Sequence, residues 1–173
     1  SVATVDANGK VTAVAPGTAT ITVTAADGSG ESAGCEITVT QPVTDITLNK
    51  TILDLKTGET ETLTATVAPE NASNKAVTWK SSDEAVVTVN ANGKVTAVAP
   101  GIATITVTAQ DGSLESASCK VTVTRPVTGI TLNKTSLSLK TGATETLTVT
   151  VTPDNASNKT VIWKSTNEKI AIV

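Results

Sequence analysis

The chain contains no histidine, methionine, phenylalanine or tyrosine, and its 173 residues include only two Trp, two Cys and 17% charged residues. Without histidine there is no imidazole for general-base chemistry, no Ser-His-Asp or Cys-His nucleophile and no His-ligated zinc. With Trp as the only aromatic, the stacking platforms that bind single-stranded nucleic acid, and comparable aromatic surfaces for sugars, cannot be built. Thirteen Lys and Arg against sixteen Asp and Glu leave a net charge of -3, which argues against a surface that tracks phosphates. What is abundant is Thr and Val, together about a third of the residues, and β-branched side chains favour the pleated, half-buried surface of a sheet. The composition therefore predicts an all-β, non-catalytic protein without a cofactor.

Internal repetition organises the chain. The segment VDANGKVTAVAPGTATITVTAADGS from Val5 returns as VNANGKVTAVAPGIATITVTAQDGS from Val89, and VTDITLNKT at Val43 returns as VTGITLNKT at Val127. Cys35 and Cys119, Pro16 and Pro100, and Trp79 and Trp163 are each 84 residues apart. That period exceeds the 20 to 50 residues of solenoid units and suits a small self-contained domain. With boundaries at the Pro-containing joints, residues 43–126 form a complete unit, residues 1–42 the second half of a repeat, and residues 127–173 the first half of another. The arrangement expected is beads on a string, cut from a longer array.

Within the complete unit, apolar alternation marks short strands. Ile46 and Leu48, Leu53 and Leu55, and a longer strand carrying Leu63, Ala65 and Val67 come first. Val77 and Trp79 follow, then Val87 and Val89, then a return from Asn92-Gly93, a tight-hairpin signal. Ala103, Ile105, Val107 and Ala109 alternate with Ile102, Thr104, Thr106 and Thr108, and Ala117, Cys119, Val121 and Val123 make the last inward row. The expected core includes Leu63, Val67, Trp79, Ile105, Val107, Cys119 and Val121. Seven to nine short strands separated by turn signals read as a two-sheet sandwich.

The order ITLNKT, LKTGETETLTATVAPENAS, VTWKSSDEAVVTV, NGKVTAVAPGIATITVTA and SASCKVTV resembles the bacterial immunoglobulin-like domain of group 2, along the whole chain. The resemblance implies an immunoglobulin-like sandwich used as a tandem module in secreted or surface-attached bacterial proteins, adhesins among them, and in phage structural proteins. It implies a module and no particular ligand.

Each chemically notable residue has a plainer structural reading. One Cys per repeat cannot pair within its own domain, and alternation turns Cys35 and Cys119 inward as small buried core residues. Trp79 and Trp163 sit in apolar alternation and are expected in the core. Asp111, Ser113 and Glu115, like Asp27, Ser29 and Glu31, place oxygens at alternate positions as one arm of a calcium loop would. A complete loop needs more ligands, and Asp-Gly by itself makes a hairpin turn. Glu59 and Glu61 have the types of a glycosidase pair, but they share an exposed strand start, and the other copy has Ala143 and Glu145. Asn49-Lys50-Thr51 and Asn71-Ala72-Ser73 match the glycosylation pattern and read as turns. No catalytic, cofactor or metal site is expected.

The joints predict mechanics and association. Few residues separate consecutive units, and Pro42 and Pro126 fix their own φ angles, so neighbouring repeats should be held nearly end to end in a stiff rod. That favours a spacer or stalk; an adhesin module binding host protein or glycan, and a phage decoration module, are the alternatives. The expected partners are neighbouring repeats and, through the half-repeats, a second copy paired head to tail. The competing reading is that the half-repeats only reflect where the sequence was cut. Neither nucleic acid nor membrane insertion is expected.

Overall fold

The computed structural model describes residues 1–173, and its regular structure is entirely β. In the first part, β1 (Ala3–Val5) pairs with β2 (Val11–Ala13), and β3 (Gly17–Thr24) pairs antiparallel with β4 (Ser32–Val39). The complete unit contributes β5 (Asp45–Leu48), β6 (Ile52–Lys56), β7 (Thr60–Thr62), β8 (Ala65–Ala68) and β9 (Val77–Ser81). It continues with β10 (Val87–Val89), β11 (Lys94–Ala97), β12 (Gly101–Ala109) and β13 (Ser116–Thr124). The last part has β14 (Gly129–Leu132) paired with β15 (Val149–Thr152).

One sheet of the complete unit has the order β6-β13-β12-β9, with β6 parallel to β13 and the other pairs antiparallel. The remaining strands form β10-β11-β7 and β5-β8. The expected single strand through Leu63, Ala65 and Val67 is broken. Its first part, β7, pairs with β11, and its second, β8, pairs with β5. At the crossover the Leu63 N–H donates to the Gly93 carbonyl at 2.9 Å, and the Asn49 N–H donates to the Thr64 carbonyl at 3.1 Å. The backbone thus changes partner without losing hydrogen bonds, as a buried segment must.

Alternation sets the core. Ala103, Ile105, Val107 and Ala109 are buried along β12, and Cys119, Val121 and Val123 along β13. Leu63 is buried with them, whereas Val67 and Trp79 are half-buried. Trp79 packs against both apolar clusters, one around Ile105 and Val121 and the other around Val43 and Val107. The β10–β11 turn is wider than a two-residue hairpin. Asn90 N–H donates to the Lys94 carbonyl and Gly93 N–H to the Asn90 carbonyl, with Gly93 at φ 75°, the three-residue loop in which a left-handed residue follows the turn.

The two flanking parts show what a strand needs besides its sequence. β3–β4 and β14–β15 form because both partners lie within the same part. Residues 136–140, 144–146 and 161–165 correspond to β6, β7 and β9, yet they form no strands. In the complete unit those strands pair with β13, β11 and β12, whose counterparts are absent from residues 127–173. Burial follows pairing: Val107 is fully buried, while its counterpart Val23 is 69% exposed. Two expectations are corrected on this ground. Cys35 is exposed rather than buried, and Trp163 is 41% exposed, because the strands that would cover them belong to the other half of their repeat.

Candidate functional site at the joints between repeats

Asp111 lies in the loop from β12 to β13 and is tied into the fold through both carboxylate oxygens. Its Oδ1 accepts from the Ser113 N–H at 3.0 Å and the Ser113 hydroxyl at 2.6 Å. Its Oδ2 accepts from the Val43 N–H at 2.6 Å. These bonds hold its carboxyl below the usual carboxylate value, the Ser113 hydroxyl contributing most and the Val43 N–H next. The alternate oxygens of Asp111, Ser113 and Glu115 are thus used within the loop, in keeping with the turn reading. Both Asp111 carboxylate oxygens accept from N–H and O–H donors, and the Ser113 Oγ accepts from the Glu115 N–H. Asp27 makes the same bonds to Ser29, and its carboxyl is lowered mainly by the Ser29 hydroxyl.

Other candidates are likewise engaged locally. Glu59 accepts from the Lys56 N–H at 2.8 Å. Glu61 pairs with Lys50 at 3.1 Å, and this bond is the main cause of its lowered pKa. The pair recurs as Lys134 with Glu145 at 2.7 Å, a local tie from the residues after β5 and β14 to a carboxylate eleven residues further on, rather than a carboxylate pair facing a substrate. The Asn49 Oδ1 accepts from the Thr64 N–H, and the Asn133 Oδ1 accepts from the Thr148 N–H. Burial raises the Cys119 thiol pKa, keeping it protonated and unreactive.

What the arrangement builds is a joint. Gln41 donates its N–H to the Ser73 Oγ at 2.8 Å, and its carbonyl accepts the Ser73 N–H at 2.9 Å. Two residues later Val43 is held by Asp111 and is buried against Ile46, Ala72, Val107 and Ala109. The second joint repeats the geometry. Arg125 N–H donates to the Ser157 Oγ at 2.7 Å, its carbonyl accepts the Ser157 N–H at 2.9 Å, and its guanidinium reaches the Asn155 Oδ1 at 3.4 Å. Thr124 immediately before it is still in the β13–β6 ladder, opposite Lys56. At the second joint no residue separates the last ladder position from the first anchor, and at the first only Thr40 lies between Val39 and Gln41. Beside the first joint a polar cleft of about 210 Å³, lined by Gln41, Ser73, Asn74 and Asp111 among others, falls below the usual size of small-molecule sites, roughly 300 Å³ and above.

Ser73 and Asp111 were not singled out as joint residues by the sequence, because their bonds span 32 and 68 residues. A usable signal existed: Ser73 recurs as Ser157, and Asp111 as Asp27.

Comparison with known proteins assigns the chain to a family. A family model described as bacterial Ig-like domain (group 2) matches residues 1–35, 42–121 and 126–173. An uncharacterized protein of Clostridium acetobutylicum is 45% identical over 130 residues, covering 75% of this chain and 13% of that protein. A lacto-N-biosidase of Bifidobacterium bifidum is 50% identical over 94 residues, 51% of this chain and 8% of the enzyme. An Ig-like virion protein of Serratia phage KSP90 is 34% identical over 135 residues, 76% of this chain and 52% of that protein. The chain thus spans a minor part of the first two relatives and about half of the third.

Proposed function

The chain belongs to the bacterial Ig-like domain family, group 2, and from that premise we propose that it is a segment of a stiff, non-catalytic stalk in a secreted or surface-exposed bacterial protein. The observation that carries this reading is the joint. Thr124 ends one ladder, and Arg125 is already bonded to Ser157 of the following repeat, so a change in the angle between repeats must break hydrogen bonds rather than bend a free linker. Pro42 and Pro126 add a fixed φ at each joint. Each sandwich adds roughly 35–40 Å if strands of about six residues rise about 3.3 Å per residue and loops cap both ends.

The partners in this reading are the neighbouring repeats. Relatives carrying names as different as a lacto-N-biosidase, of which this chain covers 8%, and an Ig-like virion protein share this segment, and that variety supports a spacer over a module with chemistry of its own. Small-angle scattering on the parent protein's repeat array tests the proposal. The maximum dimension should grow linearly with repeat number; a coiled, sublinear growth would overturn the stiff stalk. Saturable binding of a glycan or matrix protein to the array would instead support the adhesin alternative.

A further inference from the structure

The route by which tension would cross the complete unit is fixed by its topology. Val43 enters beside the Asp111 loop, near the start of β13, and Thr124 leaves at the opposite pole. Nine residues of strand at about 3.3 Å each place the two poles roughly 30 Å apart. From Val43 the chain runs toward the far pole in two steps. β5 covers the near half, antiparallel to β8 over four positions. β6 covers the far half, parallel to β13 over five positions, from Ile52 beside Lys120 to Lys56 beside Thr124. The unit's entering and leaving strands are therefore neighbours that point the same way, so tension reaches β6 at its start and leaves β13 at its end.

Hydrogen bonds bracket this parallel pair. The Lys120 N–H donates to the Thr51 carbonyl at 2.9 Å at one end, and the Thr57 N–H donates to the Thr124 carbonyl at 2.9 Å at the other. The Thr57 and Thr124 hydroxyls add bonds to the Thr124 and Leu55 carbonyls at 3.4 and 3.5 Å. On the inner face Leu53, Leu55, Val121 and Val123 are buried, so water does not reach the ladder from that side, where low polarity strengthens each bond.

We propose that the β6–β13 pair is a shear clamp that lets the repeat bear tension along its axis. Drawing the two poles apart slides β6 along β13, so the bonds from Thr51 to Thr57 are loaded together and none yields alone. Drawn apart from one pole, the same strands would open one bond at a time. β7, β10 and β11 form a separate sheet outside this route and stay unloaded while the clamp holds. The clamp deepens the stalk reading and rests on it for the direction of load, since a surface stalk held at its tip is pulled along its repeats. The joint passes that load on without slack, because Arg125 directly after Thr124 is bonded to Ser157.

Single-molecule force spectroscopy on the 173-residue chain tests it. Cys35→Ser removes the exposed thiol and Cys119 is buried, so DNA handles attach only at introduced cysteines. Thr44, Lys56 and Thr128 are exposed. Handles at Thr44→Cys and Thr128→Cys load the unit from opposite poles, and handles at Lys56→Cys and Thr128→Cys load it from one. The expected rupture force is several-fold higher from opposite poles. The total release there is roughly 250 Å, as 84 residues at about 3.5 Å each replace a folded span of roughly 35–40 Å. Lys120→Pro deletes the bond to Thr51 and should lower the opposite-pole force while leaving the one-pole force little changed. Forced rupture follows the unfolding barrier rather than equilibrium stability. Val87→Ala hollows the core at β10, which pairs only with β11, so it should lower the urea midpoint yet keep the opposite-pole force. Equal forces in the two geometries, or a Val87→Ala force as low as that of Lys120→Pro, would overturn the clamp. The comparison of geometries decides even where the proline variant does not fold. Sublinear growth of the array in scattering would overturn the stiff stalk alone, so the two failures are distinguishable.

Discussion

Replacing Gly93 by Ala should be among the most damaging single-methyl additions to the complete repeat. Gly93 has φ 75°, where an L-residue bears a cost of about 1–2 kcal/mol. An added Cβ would also run into the Leu63 carbonyl oxygen and approach the Trp79 ring at 3.0 Å. The carbonyl belongs to the crossover between β7 and β8, where the Leu63 N–H donates to the Gly93 carbonyl at 2.9 Å, so backbone cannot retreat without loosening that bond. Overpacking of this kind costs about 1–3 kcal/mol, for a total of about 2–5 kcal/mol. An 84-residue unit at about 0.05–0.15 kcal/mol per residue has only about 4–13 kcal/mol in hand. At about 4–8 °C per kcal/mol, Tm should fall by at least about 8 °C. The control is Gly112→Ala, which has φ 87° but nothing within 4 Å of the added methyl and so bears the conformational cost alone. Thermal unfolding followed by circular dichroism and Trp emission compares the two. A Gly93→Ala loss no larger than that of Gly112→Ala would refute the collision with the crossover.

Further expectations concern the core, the joint and the thiols. Val107→Ala removes two buried carbons at about 0.8 kcal/mol each and leaves a cavity, so it should cost about 2 kcal/mol or more, whereas Val23→Ala should change stability by less than about 0.5 kcal/mol; urea titration measures both. Asp111→Ala removes the acceptor of the Val43 N–H, and hydrogen exchange should show the Val43 amide exchanging faster while that of Ile105 is unchanged. Because the folded-state pKa of Asp111 lies below its ordinary value of 3.8, the stabilisation it supplies is fully present above that value and is lost as pH falls through the folded-state value. Asp111→Asn should accordingly flatten the acid limb of the stability profile without changing its slope near neutrality. In dilute solution a thiol reagent should modify Cys35 rapidly and Cys119 only on unfolding.

Much of the fold was legible because strand alternation is a local signal. The inward row of β12 reads directly from Ala103 to Ala109, and the 84-residue offset marks the repeat. The crossover at Leu63 was not legible, since alternation continues through it and nothing local announces that β7 and β8 have different partners. The joint was half legible. Pro42 and Pro126 pointed to it, but the anchoring by Ser73 and Asp111 depends on loops far along the chain.

The sequence by itself determined which residues can face a core, how often the pattern recurs and which chemistry is missing. Tertiary structure decided whether each pattern is realised. Leu53 and Leu137 occupy equivalent positions, yet one lies in a paired strand at 6% exposure and the other is 43% exposed outside any strand. Cys119 is buried while Cys35 is exposed for the same cause. A strand's hydrogen bonds and its apolar face are both satisfied by residues elsewhere, so an identical segment becomes structure only where its partner is present.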